Sequence, residues 1–432
     1  MKAKKLLLFI AFVCVPTRYV SGQVSCVTSN KLVCELPITA STVAASAVGN
    51  ATALQNAQNV SAAINSSIGT QLTQLPIPSA SVGTVSLQQA GNPFGVPFDN
   101  LGPVLTDRPD TVGRHRIFAG FSYQRFNFNA IDGINLSSLP VGYQFTQTNG
   151  TDTQTIYGSE VANINFHLNQ YVGVATYGLT KTTDVSVVVP FNDVQLSVST
   201  SNFQTYLYDS KANQYSNESL KAGTTIPTSG SSSGIGDVII SVKQMLLGQE
   251  GRPPAIAAGI DFRAPSGDAL NYLGSGAFGF NLHGLFEYRW KLSPHLKLGY
   301  QWNGNSQLVN IFKPTNTQLP GGLQYDAGAD YRVIRQVTLA VDVLGSQFTN
   351  SQSLTKTPIT LTPAPAANSG IPVTSLQAVA SAANTYSTAN FSAGVKWRPS
   401  KHWIVYGNVL IPVNNVGLRS DPVPLGGISF NR

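Results

Sequence analysis

Five histidines are the side chains in this sequence best suited to acid–base or metal chemistry: His115, His167, His283, His295 and His402. No two of them have the spacing of a metal-binding pair. His295 and His402 fall in predicted turns, where we expect them to be solvated. His167 and His283 fall on the polar rows of predicted strands, where a lumen position fits, and a structural role is favoured over a catalytic one. The sequence therefore predicts no metal site and no cofactor.

Two glycine-containing motifs match the letters of catalytic or cofactor patterns without their structural context. The stretch from Gly274 to Gly279 satisfies the dinucleotide pattern, but it lies between two predicted strands and opens no helix to hold a phosphate. The stretch from Gly230 to Gly234 matches a nucleophile elbow, but it lies in a predicted Ser-rich loop without a strand–turn–helix unit. We discard the first and attribute the second to chance, so the sequence predicts no enzyme.

The most informative chemistry lies in charged side chains on the polar rows of alternating strands. From Gly279 to Trp290 apolar and polar side chains alternate, with Glu287 and Arg289 on the polar row. A Lys or Arg facing lipid near the bilayer centre would cost ~2–4 kcal/mol, so this row must face inward. The residues predicted in this way to face a lumen are Lys243, Asp261, Arg263, His283, Glu287, Arg289, Lys297, Asp326, Asp330, Arg332, Asp342 and Lys396.

These inward charges have both signs, which allows two physical outcomes. The groups can pair into a network that fills the interior, or they can line a hydrated path that orients a polar or weakly polar solute. The sequence leaves both outcomes open.

The composition limits the class of protein that carries these strands. Charged residues make up 11% of the 432 residues, less than half of the ~25% usual for soluble domains, which argues against a cytosolic enzyme. The longest apolar run, from Leu6 to Val15, is far shorter than the ~20 residues of a transmembrane helix. A multi-helix membrane protein is therefore excluded.

Residues 1–22 have the pattern of an export signal. Lys2, Lys4 and Lys5 precede the apolar run, and small residues follow at Val20-Ser21-Gly22. Removal of this signal takes away four positive charges and no acids, so the net charge falls from +7 to +3. The remaining Lys and Arg residues are scattered, which predicts no nucleic-acid partner.

Two cysteines remain after export, Cys26 and Cys34. Two thiols eight positions apart in an exported chain predict one small disulfide loop. A lipid-modified Cys26 is the weaker alternative, because Gln23 stands where an apolar residue is expected.

Residues 23–110 form a separate segment rich in Ala, Ser and Asn, with no charged residue between Glu35 and Asp99. Val60, Ile64, Ile68 and Leu72 share one helical face and predict a helix over about 41–73, interrupted near Gly49-Asn50. Such a helix is expected to dock on a barrel rim, in a lumen or on its own copies. A low-complexity spacer is the equal alternative. Residues 76–109 are predicted to be an irregular connector.

Residues 111–432 have the alternation and the loop pattern of an all-β, transmembrane, antiparallel up-and-down β-barrel. Alternation alone also fits a soluble sandwich, but here short turns alternate with long segments along the chain, as at the two rims of an outer-membrane barrel. An even count of about twelve strands is predicted, with ten or fourteen as alternatives. The predicted strands are 114–129, 160–177, 185–200, 235–247, 255–263, 279–291, 296–308, 321–333, 337–348, 384–398, 403–413 and 422–430.

Three of the four tryptophans lie beside predicted short turns: Trp290, Trp397 and Trp403. This placement predicts an aromatic girdle at one lipid–water boundary, rather than packing under hairpins.

Several short stretches resemble a Gram-negative outer-membrane family named for the meta-cleavage pathway of phenol degradation, whose members are regarded as transporters. The matching stretches begin at Asp184, Gly234, Ala264, Leu273 and Leu298, within about 157–430. The resemblance implies a barrel that admits small molecules, aromatic or apolar ones included. The chain departs from the family in its uncharged 36–98 segment and in ending on Arg432 instead of an aromatic residue.

The leading hypothesis is a porin-like barrel in the outer membrane that passes small molecules passively, with residues 23–110 at the periplasmic mouth or inside the lumen. Its expected partners are outer-membrane lipid, a small-molecule solute and the barrel-assembly machinery. The sequence leaves open whether the chain also forms a homo-oligomer. The second hypothesis is a closed barrel that serves as a structural or surface-binding scaffold. An outer-membrane lipid hydrolase is the weakest, because no nucleophile, base and orienting acid come together.

Overall fold

A computed structural model describes residue 26 and residues 29–40, 50–73, 75–76, 101–149, 152–217, 225–248, 253–311, 317–367 and 369–431. The predicted export signal and residues 41–49 of the predicted helix lie outside these ranges. The helix α1 spans Asn50–Leu72, and Ile64 and Ile68 on its predicted apolar face are buried. In the described ranges, no helix combines the length and the apolar character needed to cross a bilayer.

Twelve strands of the described chain close into one antiparallel barrel, which confirms the predicted fold class and strand count. Each strand pairs with its neighbours in chain order, and the last pairs with the first from Phe118↔Asn431 to Gln124↔Leu425. The strands are β1 Ile117–Ile131, β2 Asp152–Gly178, β3 Thr183–Asp209, β4 Val238–Leu247, β5 Ala255–Ala264, β6 Gly279–Glu287, β7 Leu292–Asn303, β8 Gly322–Ile334, β9 Val337–Lys356, β10 Val379–Trp397, β11 Trp403–Pro412 and β12 Val423–Asn431.

The two ends of the barrel differ as predicted. Short connections, such as 179–182 and 335–336, lie at the end where β1 begins and β12 ends, and we name this end the turn rim. Long connections lie at the other end, the loop rim, which faces outward from the cell in this architecture. They carry two further strands of ten or more residues, Leu139–Asn149 and Ile226–Ile235, of which the second pairs with β3. They also carry short strands at Ile134–Asn135, Gln214–Asn217, Asn305–Ser306, Thr317–Gln318, Ile359–Thr360, Ser375–Leu376 and Leu418–Ser420. Short 3-10 turns lie at Leu136–Ser138, Ala269–Asn271 and Gln307–Asn310, with another at Leu32–Cys34 in the N-terminal segment.

An apolar belt covers the outer surface near the turn rim. Val187, Leu282 and Val341 are among its exposed aliphatic side chains, and the inward residues beside them in sequence are polar, such as Ser186, His283 and Asp342. A wall that is apolar outside and polar inside is stable only where lipid replaces water on its outer surface. The molecule is therefore a barrel of the outer membrane.

A row of aromatic side chains around the outer surface, which we name the aromatic ring, marks where the lipid contact ends on β1 to β3. The rings of Tyr123 and Tyr171 lie 5.1 Å apart and those of Tyr171 and Phe191 lie 6.4 Å apart, all on the outer surface. The next outward residues toward the loop rim are polar, Arg125 and Asp193 among them. These strands therefore continue beyond the bilayer into water.

Because these strands continue into water, the polar residue row that contains His167 faces outward there, opposite to the side predicted. Ile164, Phe166 and Leu168 pack into the interior core with Ile64 and Ile68 of α1. The prediction of a lumen position for His167 is wrong, because its ring lies on the outer surface and hydrogen-bonds Asn127. Outside the bilayer a barrel wall follows the ordinary rule of apolar inside and polar outside.

Candidate functional site

The lumen near the turn rim is occupied by a stretch of the N-terminal segment, residues 101–112, which we name the lumen segment. Its backbone is bound by side chains from the wall: Lys396 Nζ donates to the carbonyl of Leu101 at 3.2 Å, and Lys243 Nζ donates to the carbonyl of Arg108 at 2.9 Å. Leu101, Val104 and Leu105 are buried in the interior core. The described end of the predicted irregular connector, residues 101–109, is thus an internal element of the barrel.

Arg108 is the centre of a dry ion cluster. Its guanidinium lies 2.9 Å from carboxylate oxygens of both Glu287 and Asp110, and Arg289 donates to the other oxygen of Asp110. All four side chains are at most 2% exposed. Gly102, at φ +74°, leaves room for this arginine, since a Cβ there would meet Arg108 Cδ at 2.4 Å.

The cluster holds Arg108 and Asp110 in their charged forms. Burial alone would raise the pKa of Asp110, but the guanidinium groups of Arg108 and Arg289 hold it below its ordinary value. Burial lowers the pKa of Arg108, but Glu287 and Asp110 raise it above its ordinary value. The lumen segment is therefore bound to the wall by buried, mutually compensating charges.

His295 forms a second buried group. The short turn predicted at 292–295 is instead the start of β7, so His295 faces inward and the prediction that it is solvated is wrong. Its Nδ1 lies 3.1 Å from Asp330 and its Nε2 lies 2.6 Å from Asp342. A carboxylate thus lies beside each ring nitrogen, and His295 links β7 to β8 and β9.

The other end of the N-terminal segment lies at the loop rim. Cys26 and Cys34 are joined by a disulfide, and the enclosed Lys31 forms an ion pair of 2.5 Å with Asp268. Thr39 shares a hydrogen bond of 2.9 Å with Thr228. The described parts of the N-terminal segment thus extend from the loop rim into the lumen, whereas the sequence also allowed the periplasmic mouth.

Helix α1 connects this anchor to the interior. Asn65 donates to the carbonyl of Val33 at 2.6 Å and accepts from Tyr272, and Gln71 donates to Asp132 and to the carbonyl of Gln352. The uncharged helix docks in the lumen, one of the locations weighed from the sequence.

A cavity of about 200 Å³ lies between the end of α1 and the lumen segment. Leu75, Pro76 and Leu105 contribute to its apolar lining. Its charged lining comes from the wall: Asp261, Arg263, Lys297 and Asp326.

Three of the stretches that resemble the phenol family, those that begin at Gly234, Ala264 and Leu273, meet at one point of the wall, around Asp237. Its carboxylate accepts from the backbone N–H groups of Gly267 at 3.1 Å and Ser275 at 2.7 Å, and Arg263 lies 3.7 Å away. A Cβ at Gly274 would meet this carboxylate at 2.4 Å. The Ser-rich stretch before it is a strand, Ile226–Ile235, where the sequence predicted a loop.

The structure distributes the predicted lumen residues over three places. Around the lumen segment lie Lys243, Glu287, Arg289, Asp330, Asp342 and Lys396; at the cavity lie Asp261, Arg263, Lys297 and Asp326, with His283 buried beside Asp261; and Arg332 is half-buried near the turn rim. The sequence missed their partners Asp107, Arg108 and Asp110. A signal for these was present, because they are among the first charges after a long uncharged stretch.

Two further predictions concern the tryptophan girdle and metal binding. Trp290, Trp397 and Trp403 point outward at the turn rim with 72%, 52% and 45% exposure. Within the described ranges, no group of three His, Cys, Asp or Glu side chains could hold a metal ion.

A family model described as "Putative MetA-pathway of phenol degradation" matches residues 142–414, more than half of the chain. The chain belongs to this family, as its residue motifs indicated. The match covers β2 to β11 and every stretch that meets at Asp237. No curated protein matches the chain.

Solved outer-membrane barrels are similar to the chain at low identity. An outer membrane channel from Pseudomonas putida F1 is 12% identical with a TM-score of 0.43, and the match covers 75% of this chain and 98% of that one. The NanC porin is 9% identical with a TM-score of 0.33, covering 73% and 98%. A mutant of the TodX monoaromatic hydrocarbon channel is 10% identical with a TM-score of 0.31, covering 75% and 92%.

Proposed function

We propose that this outer-membrane barrel passes small molecules passively, and that residues 23–110 act as a plug that must shift within the lumen. The observation that carries the proposal is that the lumen near the turn rim is filled by a separate stretch of chain, not by the strands' own side chains alone. That stretch is bound through side-chain contacts such as Lys396 to Leu101 and Arg108 to Glu287. Contacts of this kind can break without breaking the wall.

Small aromatic molecules are the solutes that we propose to test first. The family description names phenol degradation, and the cavity combines Leu75, Pro76 and Leu105 with polar groups, a lining that suits a ring with a polar substituent. Outer-membrane lipid and the barrel-assembly machinery belong to the same proposal as partners. Phe430, whose ring lies 5.0 Å from that of Trp403 in a tilted arrangement on the outer surface, is the aromatic side chain that the machinery would meet.

The test is uptake of phenol into liposomes that contain the purified full-length protein, compared with sucrose. We expect phenol uptake above that of liposomes with a heat-unfolded sample, and little uptake of sucrose. Protein-free liposomes measure the direct permeation of phenol through lipid. Equal uptake with folded and unfolded protein would refute transport of this solute.

The closed scaffold is the second candidate, and the dry ion cluster favours it. Arg108, Asp110, Glu287 and Arg289 are shielded from solvent and bind the lumen segment to the wall, which suits a barrel that stays closed. A scaffold predicts no conductance in planar bilayers under any applied voltage. It also predicts that shortening the long connection 357–378 abolishes a cell-surface phenotype and leaves permeability unchanged.

A further inference from the structure

The charges around Lys297, beside the cavity between α1 and the lumen segment, include an excess of carboxylates. Lys297 is surrounded by Asp107, Asp261 and Asp326, and its ammonium forms an ion pair of 3.1 Å with Asp107. Asp261 is engaged by His283 at 3.3 Å and by a hydrogen bond from Ser241. One lysine thus faces three acids.

Asp326 is the member of this group without a close partner in the described part of the chain. No hydrogen bond or ion pair reaches its carboxylate there, although the carboxylate lines the cavity. The other cavity cation, Arg263, is directed to Asp237, Asn303 and the carbonyl of Thr73. An acceptor-only group that lines a cavity, and that no donor of the described residues reaches, is suited to a cationic donor from a ligand.

The ion cluster around the lumen segment behaves differently. There Arg108 and Arg289 compensate Asp110 and Glu287 in direct contact. The carboxylates of this cluster are thus compensated by close cations, whereas Asp326 at the cavity is not.

The remaining lining is apolar and of a suitable size. Leu75, Pro76, Leu105, Ile239 and Leu344 face the same space as Asp326. A dry cavity of roughly 150 Å³ is known to hold benzene, so about 200 Å³ holds a single ring with a one-carbon substituent.

We propose that this cavity binds a small organic cation, a primary ammonium group carried by one ring, with the ammonium on Asp326 and the ring on the apolar lining. This deepens the proposed transport function by naming a class of solute, and it rests on that function for its biological meaning. An ammonium supplies three donors, and Gln324, two residues before Asp326 on the same row, offers an amide beside it. A metal ion is disfavoured, because the described residues supply no cluster of three ligands.

The experiment measures equilibrium binding of benzylamine to the full-length protein in detergent by calorimetry. Benzyl alcohol and benzoate are the neutral and anionic probes of the same size. We expect benzylamine to bind at least about tenfold more tightly than either, because only its ammonium forms a charge-assisted bond. Equal affinity for benzyl alcohol would overturn the proposal, and so would tight binding of Ca²⁺ that displaces benzylamine.

Two variants and a matched control locate the site. Asp326→Asn should weaken benzylamine binding at least about tenfold, and Lys297→Met should strengthen it, because it removes the cation that competes for the acids. Asp421→Asn, at an exposed carboxylate bonded to Asn129 at the loop rim, should leave binding unchanged. Unchanged binding in both cavity variants would overturn the proposal. A change in the gel mobility of each variant on heating in detergent shows that its barrel is folded.

The proposed cation site and the proposed transport function can be refuted separately. Benzylamine binding that depends on Asp326 in a protein without solute uptake would support the site and refute the transport function. Phenol uptake without benzylamine binding would support transport and refute the cation site.

Discussion

Replacement of Arg108 by Met tests whether buried charges hold the lumen segment in the barrel. Met keeps an unbranched apolar side chain of similar reach and removes the guanidinium that lies 2.9 Å from both Glu287 and Asp110. Arg289 remains to compensate Asp110 but lies 3.9 Å from Glu287. Glu287, which is fully buried, is left without its close cation.

The free-energy cost of this substitution follows from the uncompensated carboxylate of Glu287. Removal of one partner of a buried pair costs about 3–5 kcal/mol, and about 1.4 kcal/mol corresponds to a tenfold change in an equilibrium. If the loss falls on docking of the lumen segment, the undocked population rises by roughly two to three and a half orders of magnitude. The double variant Arg108→Met/Glu287→Gln removes both charges and should recover most of the loss.

The assay combines the temperature at which gel mobility in detergent shifts with conductance in planar bilayers. Arg108→Met should lower the shift temperature and raise the conductance above that of the unsubstituted protein. Arg125→Met is the matched control, because Arg125 is exposed on the outer surface above the aromatic ring. Surface substitutions of this kind change stability by about 0.5 kcal/mol or less.

The reasoning is refuted if Arg108→Met matches Arg125→Met in both measurements. A loss equal in Arg108→Met and in the double variant would show that packing of the side chain, and not its charge, holds the segment.

Three further outcomes are expected. Val187→Arg places a charge on the lipid-facing surface and should destabilise the barrel in vesicles by ~2–4 kcal/mol, whereas Gln195→Arg on the same strand, beyond the aromatic ring, should change little, as urea unfolding will show. Cys34→Ser opens the disulfide loop to Cys26 and should weaken the anchor at the loop rim by about 2.5 kcal/mol, the value expected from the entropy of closing this loop. Proteolysis of the N-terminal segment measures the change, and the heat-dependent mobility shift should be retained. Because the pKa of Asp110 lies below its ordinary value, its contribution is complete at neutral pH and is lost only as the pH falls below about 4, so the shift temperature should fall there less steeply in Asp110→Asn.

The barrel itself is predictable from the sequence because its signals are local. Phe286 and Glu287 take opposite sides of one strand whatever the rest of the chain does, since neighbouring side chains alternate across a sheet. The energy of placing charge in lipid then decides which side faces inward. Together with the alternation of short and long connections, this gives the twelve strands to within a few residues for most of them.

The contents of the barrel depend on contacts that no local pattern carries. Arg108 meets Glu287 across 179 positions of sequence, and Lys31 meets Asp268 across 237. The charges around Arg108 stand out after a long uncharged stretch, but that pattern does not tell a buried ion from a solvated loop charge. Closure of the wall brings these groups together, and exclusion of water makes their pairing obligatory.

Two errors show where local reasoning ends. His295 belongs to β7 because that strand pairs with β8 from Leu292 onward, and the sequence placed the turn four residues too late. His167 follows the same alternation as its neighbours, but the solvent on its outer side is water instead of lipid. The sequence alone determined which side chains share a surface of the wall; the closed structure, by fixing how far each strand extends past the bilayer and what fills the lumen, decided what each surface meets.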